Sequence, residues 1–161
     1  MSVSSPVTVG NTQKLQNGGG SFNFLGGLSL ETGSELIGQG KQISGNIVLN
    51  GGQIATEQNT VLPGNLTQSA DSTLQIDTSK TLTYSGAFFD IGTSKLNIQG
   101  GGSFINSAVS ALSLNNADSH LVLDNVIVGF VTASAASNSS KGLKVSVDYT
   151  CLLYTSDAAD E

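Results

Sequence analysis

Arginine and tryptophan are absent from this chain, cysteine and methionine occur once each, and proline occurs twice. Charged residues make up only 11% of its 161 positions and aromatics only 6%. With no arginine and a formal net charge of -6, there is no basic surface to neutralise phosphates or to settle on anionic lipid. Neither nucleic acid nor a membrane is therefore expected as a partner. The longest apolar stretch, Val126 to Val131, is broken by Gly129 and is far too short to span a bilayer. Met1 to Gly10 offers neither a basic n-region nor an apolar h-region, so no signal peptide is visible there. The one cysteine, Cys151, lies in the C-terminal segment, and the chain before it, with none, cannot build a disulfide scaffold or a thiolate metal site. Few aromatics, few charges and 20 glycines also suit a compact helical enzyme core poorly. The length leaves room for one domain.

What the chain does have is a recurring short pattern. Ser34-Glu35-Leu36-Ile37, Ser72-Thr73-Leu74-Gln75-Ile76-Asp77, Ser94-Lys95-Leu96-Asn97-Ile98-Gln99 and Ser119-His120-Leu121-Val122-Leu123-Asp124 share a serine followed by alternating polar and apolar positions. The last three copies, starting at Ser72, Ser94 and Ser119, are spaced as single coils would be. The first, at Ser34, lies far enough before the second to leave room for two shorter coils. Alternation with period two predicts a strand with one buried face. A second strand follows at a steady offset, around Ile43, Leu82 and Phe104. A third contains Ile47 and Leu49, Phe89 and Ile91, and Leu112 and Leu114. Gly51-Gly52, Ser85-Gly86, Gly100-Gly101-Gly102 and Asn115-Asn116 separate strands and suit sharp corners.

Three strands and three corners make a coil. The fold expected is all-β: a right-handed parallel β-solenoid of about six coils, stacked at about 4.8 Å. A β-sandwich and an antiparallel barrel are the rivals, since they also use many short strands. Leu74, Ile76, Leu82, Leu96, Ile98, Phe104, Leu112, Leu114, Leu121 and Leu123 are expected to face one interior column. Residues 1–20 read as a polar, Gly-rich lead, 21–150 as the solenoid, with an irregular coil over Gln53 to Ala70 and an Ala/Ser loop over Ala133 to Lys141. The alternation of Leu143, Val145, Val147 and Tyr149 predicts a further strand.

Two resemblances rest on these residues. The run from Ser72 to Gly86 and the run from Ser94 to Gly102 resemble the degenerate repeats of autotransporter passenger regions and large filamentous adhesins, over roughly Leu28 to Val131. That resemblance implies export and a β-helix serving as a stalk or contact surface, extracellular or on a cell surface. Separately, Cys151 to Glu161 resembles the in-frame translation of a transposase adapter used in preparing sequencing libraries. Residues 151–161 are then a non-native tail, and the natural part, with nine acids against six lysines, carries about -3. The solenoid is expected to be cut at about Thr150.

The function expected is a structural or adhesive segment of a large bacterial secreted or cell-surface protein, with a host-surface or glycan ligand as its partner. The alternatives are a fragment of a carbohydrate-active β-helix enzyme, or of a phage tail fibre or spike. Asp77 and Asp124 occupy equivalent places in the repeat with Gln99 between them, about 9.6 Å apart on one face, near the upper limit for an inverting pair of carboxylates. The simpler reading makes all three corner residues that bond the backbone at strand ends. His120 is expected at an outward position shared with Glu35, Thr73 and Lys95, and no second histidine is there to help it. Ser79-Lys80, Ser94-Lys95 and Ser140-Lys141 have the composition of hydrolase dyads, but neighbours in a strand point to opposite faces. No catalytic residue, cofactor or metal ligand is assigned, and the chain is not expected to be an enzyme. The sequons at Asn65 and Asn138 are read as chance triplets in a chain rich in Asn and Ser.

Overall fold

A computed structural model describes residues 1–87, 89–107, 112–114, 119–129, 133–135 and 144–147. Within them are seventeen strands and no helix. All the strand-to-strand ladders are parallel, and they wind into a β-solenoid with three faces of seven rungs each. The first face carries Lys14–Gln16, the starts of Glu35–Asn50 and Gln53–Leu62, then Ser72–Ile76, Lys95–Gln99, His120–Asp124 and Lys144–Val147. On the second, Ser2–Val3 pairs with the start of Phe22–Glu31, and Thr81–Tyr84, Ser103–Asn106 and Ile127–Gly129 follow higher up. Val7–Val9, Leu66–Ala70, Phe89–Ile91, Leu112–Leu114 and Ala133–Ala135 belong to the third. At about 4.8 Å per rung, six intervals make a stack about 29 Å tall.

Alternation decides which side chains enter. Leu36, Ile54, Leu74, Ile98 and Leu123 form one inward row on the first face, and Leu28, Ile47, Leu66 and Phe89 form another on the third. Each buried side chain of this size contributes about 1.5–3 kcal/mol relative to leaving it in water. Eight of the ten residues expected in the column, Leu74, Ile76, Leu82, Leu96, Ile98, Phe104, Leu121 and Leu123, are at most 6% exposed. The other two, Leu112 and Leu114, stand in the strand predicted for them. Tyr84, Phe89 and Phe104 fill the interior between the second and third faces, with ring centroids 5.1 Å and 6.4 Å apart.

Several boundaries differ from those expected. The stack starts within residues 1–20: Ser2–Val3, Val7–Val9 and Lys14–Gln16 pair with the coil above, and Val3, Val7 and Leu15 pack against the core. Low hydrophobicity hides this coil in the sequence, because its Val3, Val7, Val9 and Leu15 are scattered among polar residues and glycines. Gln53 to Ala70 forms a coil of two strands, irregular as expected in that its register against the coil below shifts at Thr56/Gln58 and at Gln68/Ala70. Ala133–Ala135 is a strand paired with Leu112–Leu114, and Lys144–Val147 is the further strand predicted. The tail 151–161 lies outside the described residues.

One register also differs. The copy at Ser94 pairs with the copy at Ser72 two residues out of the expected alignment: Leu96 faces Ser72 and Ile98 faces Leu74. A shift of two keeps every inward residue inward, so alternation could not detect it. The step between these coils therefore runs from Leu74 to Ile98, slightly longer than the spacing of the two serines that open the copies.

Candidate functional site

The register shift separates the carboxylates that the repeat aligned. Gln99 pairs with Asp124 above and with Gln75 below, so Gln75 takes the place expected of Asp77. Asp77 instead opens a turn: its carbonyl accepts the Lys80 amide at 2.9 Å, and its amide donates to the Thr56 carbonyl at 3.1 Å. It is an exposed corner residue, in line with the simpler reading. Gln99 donates to Gln75 Oε1 at 2.9 Å and accepts from Asn97, so amides link these coils on the outside.

The other isolated candidates also separate. His120 is in register with Lys95 and Lys144, whereas Glu35 and Thr73 belong to the neighbouring row with Gln53 and Asn97. Ser79 sits in a turn with φ 63°, outside any strand, and Lys95 opens the strand after Ser94. Ser140, Lys141 and Asn138 lie outside the described residues. Asn65 accompanies Leu66, which is buried in the third face, and its amide donates to Asn46 Oδ1 at 3.4 Å. Among the described residues no group of three or more His, Cys, Asp or Glu side chains could hold a metal ion, and no helix is long and apolar enough to cross a membrane.

A polar groove of about 340 Å³ opens where the third face turns into the first. It comes from consecutive corners. Glu35, Gln53 and Thr73 stack in one outward row, and two residues before each stand Gly33, Gly51 and Asp71. Gly33 and Gly51 hold φ values of 76° and 88°, which L side chains rarely adopt. A Cβ on Gly52 would meet Leu30 Cβ at 2.6 Å and Ser34 Oγ at 2.8 Å. The same turns that demand glycine thus hollow the corner, and Asp71 rises as its upper wall.

Charge lines the lower end. Lys14 Nζ pairs with Glu35 Oε2 at 2.6 Å, and Gln53 Nε2 donates to Glu35 Oε1 at 3.1 Å. The Glu35 hydrogen bond, and then its charge, raise the Lys14 pKa above the ordinary lysine value. Both Glu35 oxygens are therefore engaged, one by a cation and one by an amide. At the upper end Asp71 Oδ1 accepts the Lys95 amide at 2.8 Å. What remains open is a set of mixed donors and acceptors, suited to holding a polar ligand more than to moving a proton. Nothing in the sequence analysis pointed to this groove. Its signal is present in the glycines and Asp71 preceding each repeat, but only the register brings Gly33, Gly51 and Asp71 into one row.

The stack defines a parallel β-solenoid with a polar groove along one corner. Compared with known proteins, the chain matches no family model, no curated sequence and no solved structure.

Proposed function

We propose that this chain is a structural or adhesive segment of a large bacterial protein that is secreted or displayed on the cell surface. The observation that carries the reading is how the outer polar side chains are used. Gln39 bonds Glu57, Gln53 bonds Glu35, Asn50 bonds Glu31 and Gln99 bonds Gln75, each across a rung. Side chains spent on tying coils together make a stiff rod with a hydrated wall, which is what a stalk or contact surface needs. Its repeats resemble those of autotransporter passengers and filamentous adhesins, and an extracellular location follows from that resemblance.

A second reading, a fragment of a carbohydrate-active β-helix, gains support from Glu35 and Asp71 lining one groove. Against it stand the engaged oxygens, since a glycosidase needs one carboxyl to give a proton and another to take one or attack. Particles coated with the full chain should attach to glycan-bearing surfaces, and the soluble chain should release no reducing sugar from neutral or acidic glycans. Asp77→Asn and Asp124→Asn should change stability by less than about 0.5 kcal/mol, as expected of surface substitutions. Sugar release that disappears in Glu35→Gln or Asp71→Asn would replace the adhesive reading with the enzymatic one. Absence of attachment to every surface tried would remove adhesion and leave the structural role.

A further inference from the structure

We infer that the groove at the third-to-first corner binds one residue of a neutral glycan chain; this names a ligand class for the adhesive reading and rests on it. Four polar groups in the groove keep hydrogen-bonding capacity. Lys14 has ammonium protons beyond the one given to Glu35, and Gln53 Oε1, the Thr73 hydroxyl and Asp71 Oδ2 make no hydrogen bond within the described residues. Gln53 and Thr73 stand on adjacent rungs, about 4.8 Å apart. The set therefore runs along the stack as cationic donor, carbonyl acceptor, hydroxyl, then carboxylate acceptor. A ring carrying several hydroxyl groups, each both donor and acceptor, can satisfy such a row, and a volume of about 340 Å³ is at the small end of ligand pockets.

Charge selects against the other ligands of this size. Glu35 and Asp71 outnumber Lys14, so the groove has no excess positive charge for a sulfate, phosphate or uronate. A divalent cation would have to displace Lys14 from Glu35, and Asp71 already spends one oxygen on the Lys95 amide. An extended peptide adding a strand needs a free sheet edge. The rungs at Glu35, Gln53 and Thr73 are each paired on both sides. Gly33, Gly51 and Gly52 leave the backbone uncovered along the floor, so a flat ring can approach it closely. Among the described residues no aromatic side chain lines the groove for a sugar to stack on. The affinity is therefore modest, with Kd on the order of 1 mM for a single site.

The test is an amide-resolved NMR titration of the full chain with cellohexaose, laminarihexaose and mannohexaose, with a polygalacturonate hexamer and calcium as controls. At least one neutral hexamer should shift the amides of Gly51, Gly52, Gln53 and Thr73 together. Thr73→Val and Lys14→Met should each weaken that binding five-fold or more, while the remaining amide spectrum shows the fold retained. No shift with any neutral hexamer at tens of millimolar would overturn the inference. So would shifts elsewhere on the surface, tighter binding of polygalacturonate, a response to calcium alone, or binding that the two substitutions leave unchanged. The attachment assay separates this failure from that of the adhesive reading. Coated particles that attach equally well with Thr73→Val would sink the groove and keep adhesion, whereas sugar binding without attachment would keep the groove and sink adhesion.

Discussion

The lower and upper coils turn their corners in different ways. Three lower coils carry the chain from Leu15 through Leu36 and Ile54 to Leu74, and three upper coils carry it from Leu74 through Ile98 and Leu123 to Val147. Every upper step is longer than every lower one. In the lower coils long strands run round the bends, with register shifts at Phe24/Leu28, Gly38/Gln39 and Leu49/Asn50, and one 16-residue strand, Glu35–Asn50, serves all three faces. The upper coils use separate short strands, such as Thr81–Tyr84, Phe89–Ile91 and Lys95–Gln99, joined by turns such as Asp77 to Lys80. Interior content follows. The inward row that reads Ser34, Gly52, Ser72 below becomes Leu96 and Leu121 above, so a longer perimeter encloses larger side chains. Gln68 sits at the change. It stands in the inward row between Leu49 and Ile91, and its Nε2 donates to the Ala70 carbonyl at 2.9 Å and to the Lys95 carbonyl of the first long coil at 2.7 Å. Coil length and interior volume are thus adjusted together, with a buried amide at the join.

Changing coil length should affect the two regions most unequally. Inserting Gly-Ser between Gly40 and Lys41, inside the 16-residue strand, should destabilise by about 3 kcal/mol or more, because it displaces Lys41 and Gln42 from Thr60 and Val61 above and Ile43 from Phe22 below. The same insertion between Thr93 and Ser94, in an upper turn, should cost less than about 1 kcal/mol, since lengthening a loop adds little closure entropy. Urea unfolding of the two variants measures both, and equal losses would show that the corners do not differ.

Corner glycines come next. A Cβ on Gly64 would overlap the Gly45 carbonyl oxygen in the coil below, and one on Gly86 would overlap that of Gly64, so backbone contacts backbone through three coils. Gly64→Ala should cost about 1–3 kcal/mol as overpacking. Thr93→Ala, at an exposed turn position above, should fall within about 0.5 kcal/mol of the parent. A thermal melt that ranks them the other way would remove the argument from close approach.

Gln68→Ala removes both hydrogen bonds at the join; the Ala70 carbonyl keeps the Ser72 hydroxyl at 2.8 Å, while the Lys95 carbonyl loses its side-chain donor, an expected loss of about 1–3 kcal/mol. If Gln68 couples the regions, hydrogen exchange should show the amides of Lys95–Gln99 losing more protection than those of Glu35–Ile37. Uniform loss would mean that it only fills space.

The smallest effect concerns Lys14 in the first coil. Its folded-state pKa is raised by Glu35, so the pair's contribution is fully present below the unfolded lysine value near 10.5 and is lost as pH rises through the higher folded value. Parent and Lys14→Met should therefore differ little and constantly from pH 6 to about 10, and converge above it. The pair is mostly exposed on the Lys14 side, so salt should also narrow the difference. A difference that grows at alkaline pH would contradict the sign.

The class of fold and the inward residues were legible from the chain alone, the first from the spacing of the repeat and its steady strand offsets, the second from local alternation. Leu74, Ile76, Leu96 and Ile98 are separated from polar neighbours by one position each, and no arrangement of parallel rungs could bury one set without exposing the other. The long gap between the first two copies likewise divides into two short coils, from Leu36 to Ile54 and from Ile54 to Leu74, as its length suggested. Which outward side chains meet emerges only from the stacked coils. A slip of two residues between Ser72 and Ser94 leaves burial unchanged yet replaces Asp77 with Gln75 beside Gln99, and gives His120 a different row from Glu35. The groove depends on the same register, since Gly33, Gly51 and Asp71 each belong to a different coil and become neighbours only when those coils stack. Inward positions are fixed by hydrophobic burial within each strand, whereas outward neighbours are set by pairing between strands, and that pairing is not written in the period of any one of them.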